Sequence, residues 1–168
     1  NCFVLKPSEQ TPLTAVRLVE LLLETGLPAG VVSLLHGGRE TVEYLVEHPK
    51  VLAISFVGST PVALEVYTGA ARHGKRVQCQ GGAKNPLVIL PDADLELTTR
   101  IVADSAFGCA GQRCLSASLA ITVGAAANPF REAIASAART REVGCGQQDG
   151  VEMGPVINQA SRDRLASA

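Results

Sequence analysis

The sequence predicts an α/β fold, a parallel sheet with helices on both faces. Short apolar runs alternate with stretches of helical period along the whole chain. Repeated strand–helix–strand units of this kind imply parallel strands joined by helical crossovers. The apolar runs are also continuous rather than alternating, the pattern of strands buried on both sides.

Taken in order, Cys2–Leu5 reads as a short strand, set off by the Pro7/Pro12 turn region from an amphipathic helix over Leu13–Glu24. In that helix Leu13, Val16, Val19 and Leu23 recur near the helical period, and Gly26, Pro28 and Gly30 end it. Val31–Leu35 is a second strand, closed by His36-Gly37-Gly38, and Glu40–Glu47 a short helix stopped by Pro49. Val51–Val57 is a third strand. It runs into Gly58-Ser59-Thr60, and Pro61 sits where a first helical turn accepts proline. Val62–Arg72 makes the next helix, ahead of a strand at Arg76–Cys79, the Gly81-Gly82 pair and a strand at Pro86–Leu90. Asp92 and Asp94 precede a helix to about Phe107. A Gly/Ala/Cys-rich loop, Gly108–Cys114, leads to a strand at Ser118–Val123 and an Ala-rich helix at Pro129–Arg139. From Asn158 onward the pattern is helical again. The Gln80–Asn85 turn is the expected hinge between two lobes.

Composition narrows the function classes. The 168 residues carry 15 Lys+Arg against 16 Asp+Glu, net −1, which leaves no electrostatic footprint for nucleic acid or an anionic membrane. With glycine counted and tyrosine left out, the apolar share is about 54%, above the roughly 45–50% of average globular domains. A disordered chain is excluded. The densest apolar stretch, Leu18–Leu23, is interrupted by Glu20 and falls far short of the ~20 residues of a membrane span. Residues 1–20 show no signal-peptide pattern. The start at Asn1 and the stop inside a helical pattern read as the ends of a piece of a longer protein, and the apolar excess agrees with surface that neighbours would cover.

Five cysteines, Cys2, Cys79, Cys109, Cys114 and Cys145, form an odd, scattered set without a CxxC pair. This argues against a disulfide framework or a zinc site and for a reducing compartment. His36, His48 and His73 fall at turns and helix ends without metal spacing, so no metal is expected.

Three places carry candidate chemistry. Cys114 closes a glycine-rich loop beside Arg113, where charge and backbone donors would favour a thiolate able to attack an aldehyde or acyl carbon; read otherwise, it is a small buried hydrophobe. Phe56-Val-Gly-Ser-Thr60 is a strand end, a glycine and a helix start, a place suited to phosphate, or an ordinary turn capped by Ser59 or Thr60. Lys6 and Glu9 follow the first strand, where an acidic residue can bind sugar hydroxyls; alternatively they are a solvated loop pair. Arg113 suits a bidentate carboxylate contact or a structural ion pair, and Cys109 reads as a packing residue.

Lys6-Pro-Ser-Glu9-Gln-Thr-Pro12, Phe56-Val-Gly-Ser-Thr60, Gly82-Ala-Lys-Asn85 and Gly111-Gln-Arg-Cys114 together resemble the aldehyde dehydrogenase superfamily in order and spacing. Met153-Gly-Pro-Val156 fits the same pattern. With His73-Gly-Lys-Arg76, these motifs look closest to the CoA-acylating (methyl)malonate-semialdehyde dehydrogenase branch. The resemblance runs through essentially the whole chain but covers only about the middle third of a family member. It implies the later part of a Rossmann-like NAD-binding domain over residues 1–80. Residues 81–168 are then the first part of the α/β catalytic domain that carries the nucleophile.

Residue by residue, the resemblance makes Cys114 the nucleophile that forms a thiohemiacetal and, after hydride passes to NAD, a thioester. Lys6 and Glu9 match the residues that hold the adenosine ribose. Ser59, with Gly58, matches the pyrophosphate contact, and the backbone N–H of Cys114 one oxyanion donor. Arg113 is placed to hold a semialdehyde's distal carboxylate.

Gln80 stands where most members carry the glutamate that activates deacylating water. An amide has no useful basicity near neutral pH, and in the acylating branch, where an amide also replaces the glutamate, CoA thiolate takes the acyl group. The expected reaction is therefore NAD-dependent oxidation of malonate or methylmalonate semialdehyde to an acyl-CoA. The alternatives are a water-using aldehyde dehydrogenase giving a free acid, or an inactive nucleotide-binding fragment. The expected partners are the small aldehyde and CoA, with a homo-oligomer, dimer or tetramer, in the full-length form. The expected location is the cytoplasm, or the mitochondrial matrix in a eukaryote. Family features outside this stretch include a second oxyanion donor and the glutamate that orients the nicotinamide ribose, so the isolated chain is expected to be poorly active.

Overall fold

The computed structural model describes residues 1–167. Its elements are β1 (Phe3–Leu5), α1 (Leu13–Glu24), β2 (Val32–Leu34), α2 (Arg39–Glu47), β3 (Ala53–Val57), α3 (Thr60–Arg72) and β4 (Arg76–Gln80). They continue with β5 (Asn85–Ile89), α4 (Leu95–Phe107), β6 (Ala117–Thr122), α5 (Ala127–Thr140) and α6 (Gln159–Ala166). The strands pair in parallel as β1–β2, β3–β4 and β5–β6. Each pair brackets one helix in sequence, so the chain is three β–α–β crossovers, the connection that parallel pairing requires. The α/β class read from the sequence is the class observed.

The chain divides into two compact units, Asn1–Gly81 and Gly82–Ala168. In the first unit, α3 turns Ala63, Val66 and Ala70 inward, positions three and four apart on one helical face. Val46 of α2 is buried as well, and a Cβ on Gly69 would lie 2.8 Å from its Cγ1, so Gly69 sets how closely the two helices approach. In the second unit Ile89 of β5, Val102 of α4 and Phe130 of α5 form the core, with Leu87, Ala126 and Ile134 packed on it. Fully burying side chains of this size stabilises by about 1.5–3 kcal/mol each. Asp94 caps α4 by accepting from the Leu97 N–H at 2.9 Å, and Asn158 caps α6 through the Ser161 N–H at 2.8 Å.

One expectation is corrected. The strands are not buried on both sides: Ile89 is the only strand residue in the buried core of the described residues. Val57, Val88 and Leu119 remain 64%, 61% and 54% exposed. A two-stranded sheet has two faces, and the helices packed on each pair leave these apolar side chains uncovered. No helix among the described residues is long and apolar enough to cross a membrane.

Candidate active site

The first unit presents two groups. Lys6 leaves the end of β1 and donates from Nζ to the carbonyls of Pro7 and Gly37, both at 2.6 Å. Its third contact, to Glu9 Oε2, is looser at 3.5 Å. A backbone hydrogen bond at Glu9 itself, and then the Lys6 ammonium, hold the Glu9 carboxyl below its ordinary range. The structure thus brings Lys6 and Glu9 together, the lysine 15% exposed and the glutamate 62%. An ionised acceptor beside a lysine hydrogen that is only loosely used can bracket a sugar diol.

The second group is the turn from β3 into α3. Val57 pairs with Gln80 in register, and the Gly58 N–H donates to the Gln80 carbonyl at 3.1 Å. Ser59 is the N-cap residue of α3, yet its hydroxyl makes no capping bond; its carbonyl accepts from Ala63 N at 2.8 Å. The side-chain cap considered for Ser59 is therefore not formed. One reason is local: Pro61 stands at the second helical position and has no N–H for a cap to serve. A hydroxyl without that duty, at the positive end of a 13-residue helix, suits an anionic phosphate. Gln80 is exposed at the end of β4. A Cβ on the next residue, Gly81, would lie 2.8 Å from Thr60 Oγ1 and 3.0 Å from Thr60 Cα, so only glycine lets the chain pass the start of α3 this closely.

The second unit carries the cysteine loop. The Gly108 N–H closes the end of α4 on the Asp104 carbonyl. Cys109, Ala110 and Gly111 then adopt φ of 52°, 54° and 69°, a run of left-handed backbone that costs roughly 1–2 kcal/mol per residue bearing a Cβ. Gln112 secures the turn: its backbone N–H reaches the Cys109 carbonyl at 3.1 Å, and its Oε1 accepts from Ile157 N at 3.2 Å. Cys114 is exposed, so the small buried hydrophobe considered for it does not apply. Cys109 is exposed too; the packing role expected for it is corrected, because the left-handed turn turns inward no side chain of its own that is buried.

Arg113 forms no ion pair among the described residues. Its Nη2 donates to the Asp104 carbonyl at 3.1 Å, and it lies so close over Gly108 that a Cβ there would overlap it. Asp104 in turn accepts from Arg141 Nη2 at 2.9 Å through its carboxylate, and the Arg141 guanidinium lies 5.6 Å from the Phe107 ring centre. The Arg113 fork is therefore anchored by one arm and keeps its other N–H groups for a further acceptor.

Asn85 is the residue the sequence did not single out for a role. It lies 29 residues from Cys114 along the chain, and its amide Nδ2 donates to the Cys114 carbonyl at 2.8 Å and to the Ser116 carbonyl at 2.9 Å. A polar side chain opening an apolar strand, inside Gly82-Ala-Lys-Asn85, is the one hint the sequence offers. Among the described residues no group of three His, Cys, Asp or Glu side chains is placed to hold a metal ion.

The model of the Aldehyde dehydrogenase family matches residues 1–168. Malonate-semialdehyde dehydrogenase 1 of Geobacillus thermodenitrificans is 50% identical over 167 residues, 99% of this chain and 34% of that protein. The crystal structure of methylmalonate-semialdehyde dehydrogenase from Oceanimonas doudoroffii superposes with a TM-score of 0.94 at 40% identity, over 99% of this chain and 34% of that one. Betaine aldehyde dehydrogenase from Staphylococcus aureus, solved with NAD+, gives 0.92 at 31% identity over 99% and 33%. The chain thus spans about a third of the length of the relatives it matches.

Proposed function

This chain belongs to the aldehyde dehydrogenase family, and from that premise we propose that it is the part of a CoA-acylating malonate- or methylmalonate-semialdehyde dehydrogenase that carries the nucleophile. Cys114 attacks the aldehyde carbon, and its backbone N–H donates to the oxyanion of the thiohemiacetal. NAD, when bound, supplies the hydride-accepting chemistry that turns this adduct into a thioester. Lys6 and Glu9 hold the cofactor's ribose hydroxyls, and Ser59 with Gly58 receives its phosphates; the geometry of the Lys6–Glu9 pair and the uncapped Ser59 hydroxyl support both assignments. Arg113 offers its unengaged N–H groups to the substrate's distal carboxylate.

Gln80 is the observation that carries the acylating half of the proposal. An amide cannot take a proton from water near neutral pH, whereas a CoA thiolate needs no such help. It attacks the thioester carbon, the Cys114 thiolate leaves, and the product is an acyl-CoA, acetyl- or propionyl-CoA once the distal carboxylate departs as carbon dioxide and the carbon it leaves takes up a proton from water. The full-length enzyme works as a homo-oligomer.

The test is NADH formation by the full-length enzyme with malonate or methylmalonate semialdehyde, with and without CoA. The expected result is a burst of about one NADH per site that becomes steady turnover only when CoA is added. Steady turnover in water alone overturns the acylating assignment and favours the free-acid reaction.

A further inference from the structure

We propose that Asn85 is a positioning residue for the Cys114 nucleophile, an inference that rests on the functional reading above. Three hydrogen bonds run from this one residue to the segment that starts at the cysteine. Its Nδ2 gives both hydrogens to main-chain carbonyls, those of Cys114 at 2.8 Å and Ser116 at 2.9 Å. Its backbone N–H goes to Ser118 Oγ at 2.8 Å. The contacts fall on residues 114, 116 and 118, so the whole exit from the cysteine is held on a single side of β5.

The strand register supports the same role. Asn85 pairs with Ala117, but the next residue, Pro86, pairs with Leu119, so β6 carries one extra residue, Ser118, opposite this step. Such bulges are rare in parallel pairs and re-aim side chains near sites. Here the bulge presents the Ser118 hydroxyl to the Asn85 N–H. Ser116 is only 5% exposed, so its carbonyl depends on a donor from within the protein.

On the other side, the cysteine is fed by the left-handed turn at Cys109–Gly111, so the nucleophile hangs between a strained turn and the Asn85 amide. Fixing the Cys114 carbonyl fixes rotation about its Cα–C bond, and with it where the sulfur lies relative to the donors around it. Displacing a reacting group by about 1 Å costs on the order of 10²-fold in rate. Asparagine suits the task because two carbonyls need two donors: aspartate offers none, serine one.

The experiment uses the full-length enzyme with Asn85→Asp and Asn85→Ser. It reads the burst rate of NADH, the KM for aldehyde, the melting temperature and the rate at which iodoacetamide alkylates Cys114. Asn85→Asp is expected to slow the burst by about 10²-fold with KM nearly unchanged, and to shift the alkylation rate severalfold. Asn85→Ser, with one donor, falls between, and it carries the test if the aspartate variant does not fold. A burst and an alkylation rate that match wild type, even with a lowered melting temperature, overturn the proposal. If the wild-type enzyme shows no burst at all, the functional reading fails, while the alkylation rate still decides whether Asn85 sets the cysteine's position.

Discussion

The backbone N–H of Gly58 donates to the carbonyl of Gln80 at 3.1 Å, so the turn proposed for phosphate and the amide proposed to replace a base are tied to each other through the backbone. The bond continues the β3–β4 ladder one step past the Val57–Gln80 pair. Because it uses main-chain atoms on both sides, the side chains at the two positions can be changed independently, and each change reports on a different half of the reaction.

Gly58→Ala acts on the cofactor half. A Cβ at Gly58 would lie 2.6 Å from Cζ and 2.8 Å from Cε1 of Phe56, so the ring has to move. Overpacking of this kind costs about 1–3 kcal/mol. We expect a lower melting temperature and weaker NAD binding, measured by thermal denaturation and by titration calorimetry. Wild-type values in both would show that the Phe56 ring yields without disturbing the turn.

Gln80→Glu acts on the acyl-transfer half. The side chain is exposed and the backbone bond to Gly58 is untouched, so the fold is expected to survive. A carboxylate in this position can take a proton from water, and a positioned base contributes typically 10²–10⁴-fold. The variant is expected to turn over steadily without CoA, read as continuous NADH formation after the burst. A variant that still stops after one NADH per site would mean that the amide is not what withholds water.

Much of this was legible in the sequence, and the limits have physical causes. The bounds of α1 follow from an apolar period framed by Pro12 and Gly26, and the parallel strand pairs follow from the strand–helix–strand order; both are local patterns. The pairing of Lys6 with Glu9 is local as well, three residues apart. The role of Asn85 is not: its bonds to residues 114 and 116 span 29 and 31 positions, and nothing in the residue type announces them. The left-handed backbone at Cys109 and Ala110 was equally hidden, since both residues carry a Cβ and only Gly111 belongs there by type. The exposure of Val57, Val88 and Leu119 on the strands has a third cause. An apolar run reports that both faces favour cover, not that this stretch of chain supplies it.

Glu9 sets a pH expectation. Its carboxyl is held below the ordinary value of 4.5, first by its backbone hydrogen bond and then by Lys6. A depressed carboxylate pKa means that the unfolded chain binds the proton more readily. The resulting stabilisation is full above the unfolded value and fades as pH falls through the folded one. In a carbon-detected NMR titration, the Glu9 side chain is expected to stay ionised below pH 4.5. Lys6→Met should raise its midpoint only part of the way, because the larger cause, the backbone bond, remains. A midpoint at the ordinary value in the wild-type protein would contradict the paired geometry.

Ala110→Gly tests the strained turn. In most places this change costs stability, because glycine has more freedom to lose on folding. At Ala110 the backbone already stands at φ 54°, a region that costs a residue with a Cβ roughly 1–2 kcal/mol and glycine almost nothing. The greater freedom of glycine in the unfolded chain offsets about 0.4–1 kcal/mol of that difference, which leaves a net gain between nearly zero and about 1.6 kcal/mol. The expected result is a higher denaturation midpoint for the full-length enzyme, with a changed burst rate only if the strain itself helps to aim Cys114. A midpoint lowered by the usual alanine-to-glycine amount would place Ala110 in the right-handed region and remove the strained turn from the account of the site.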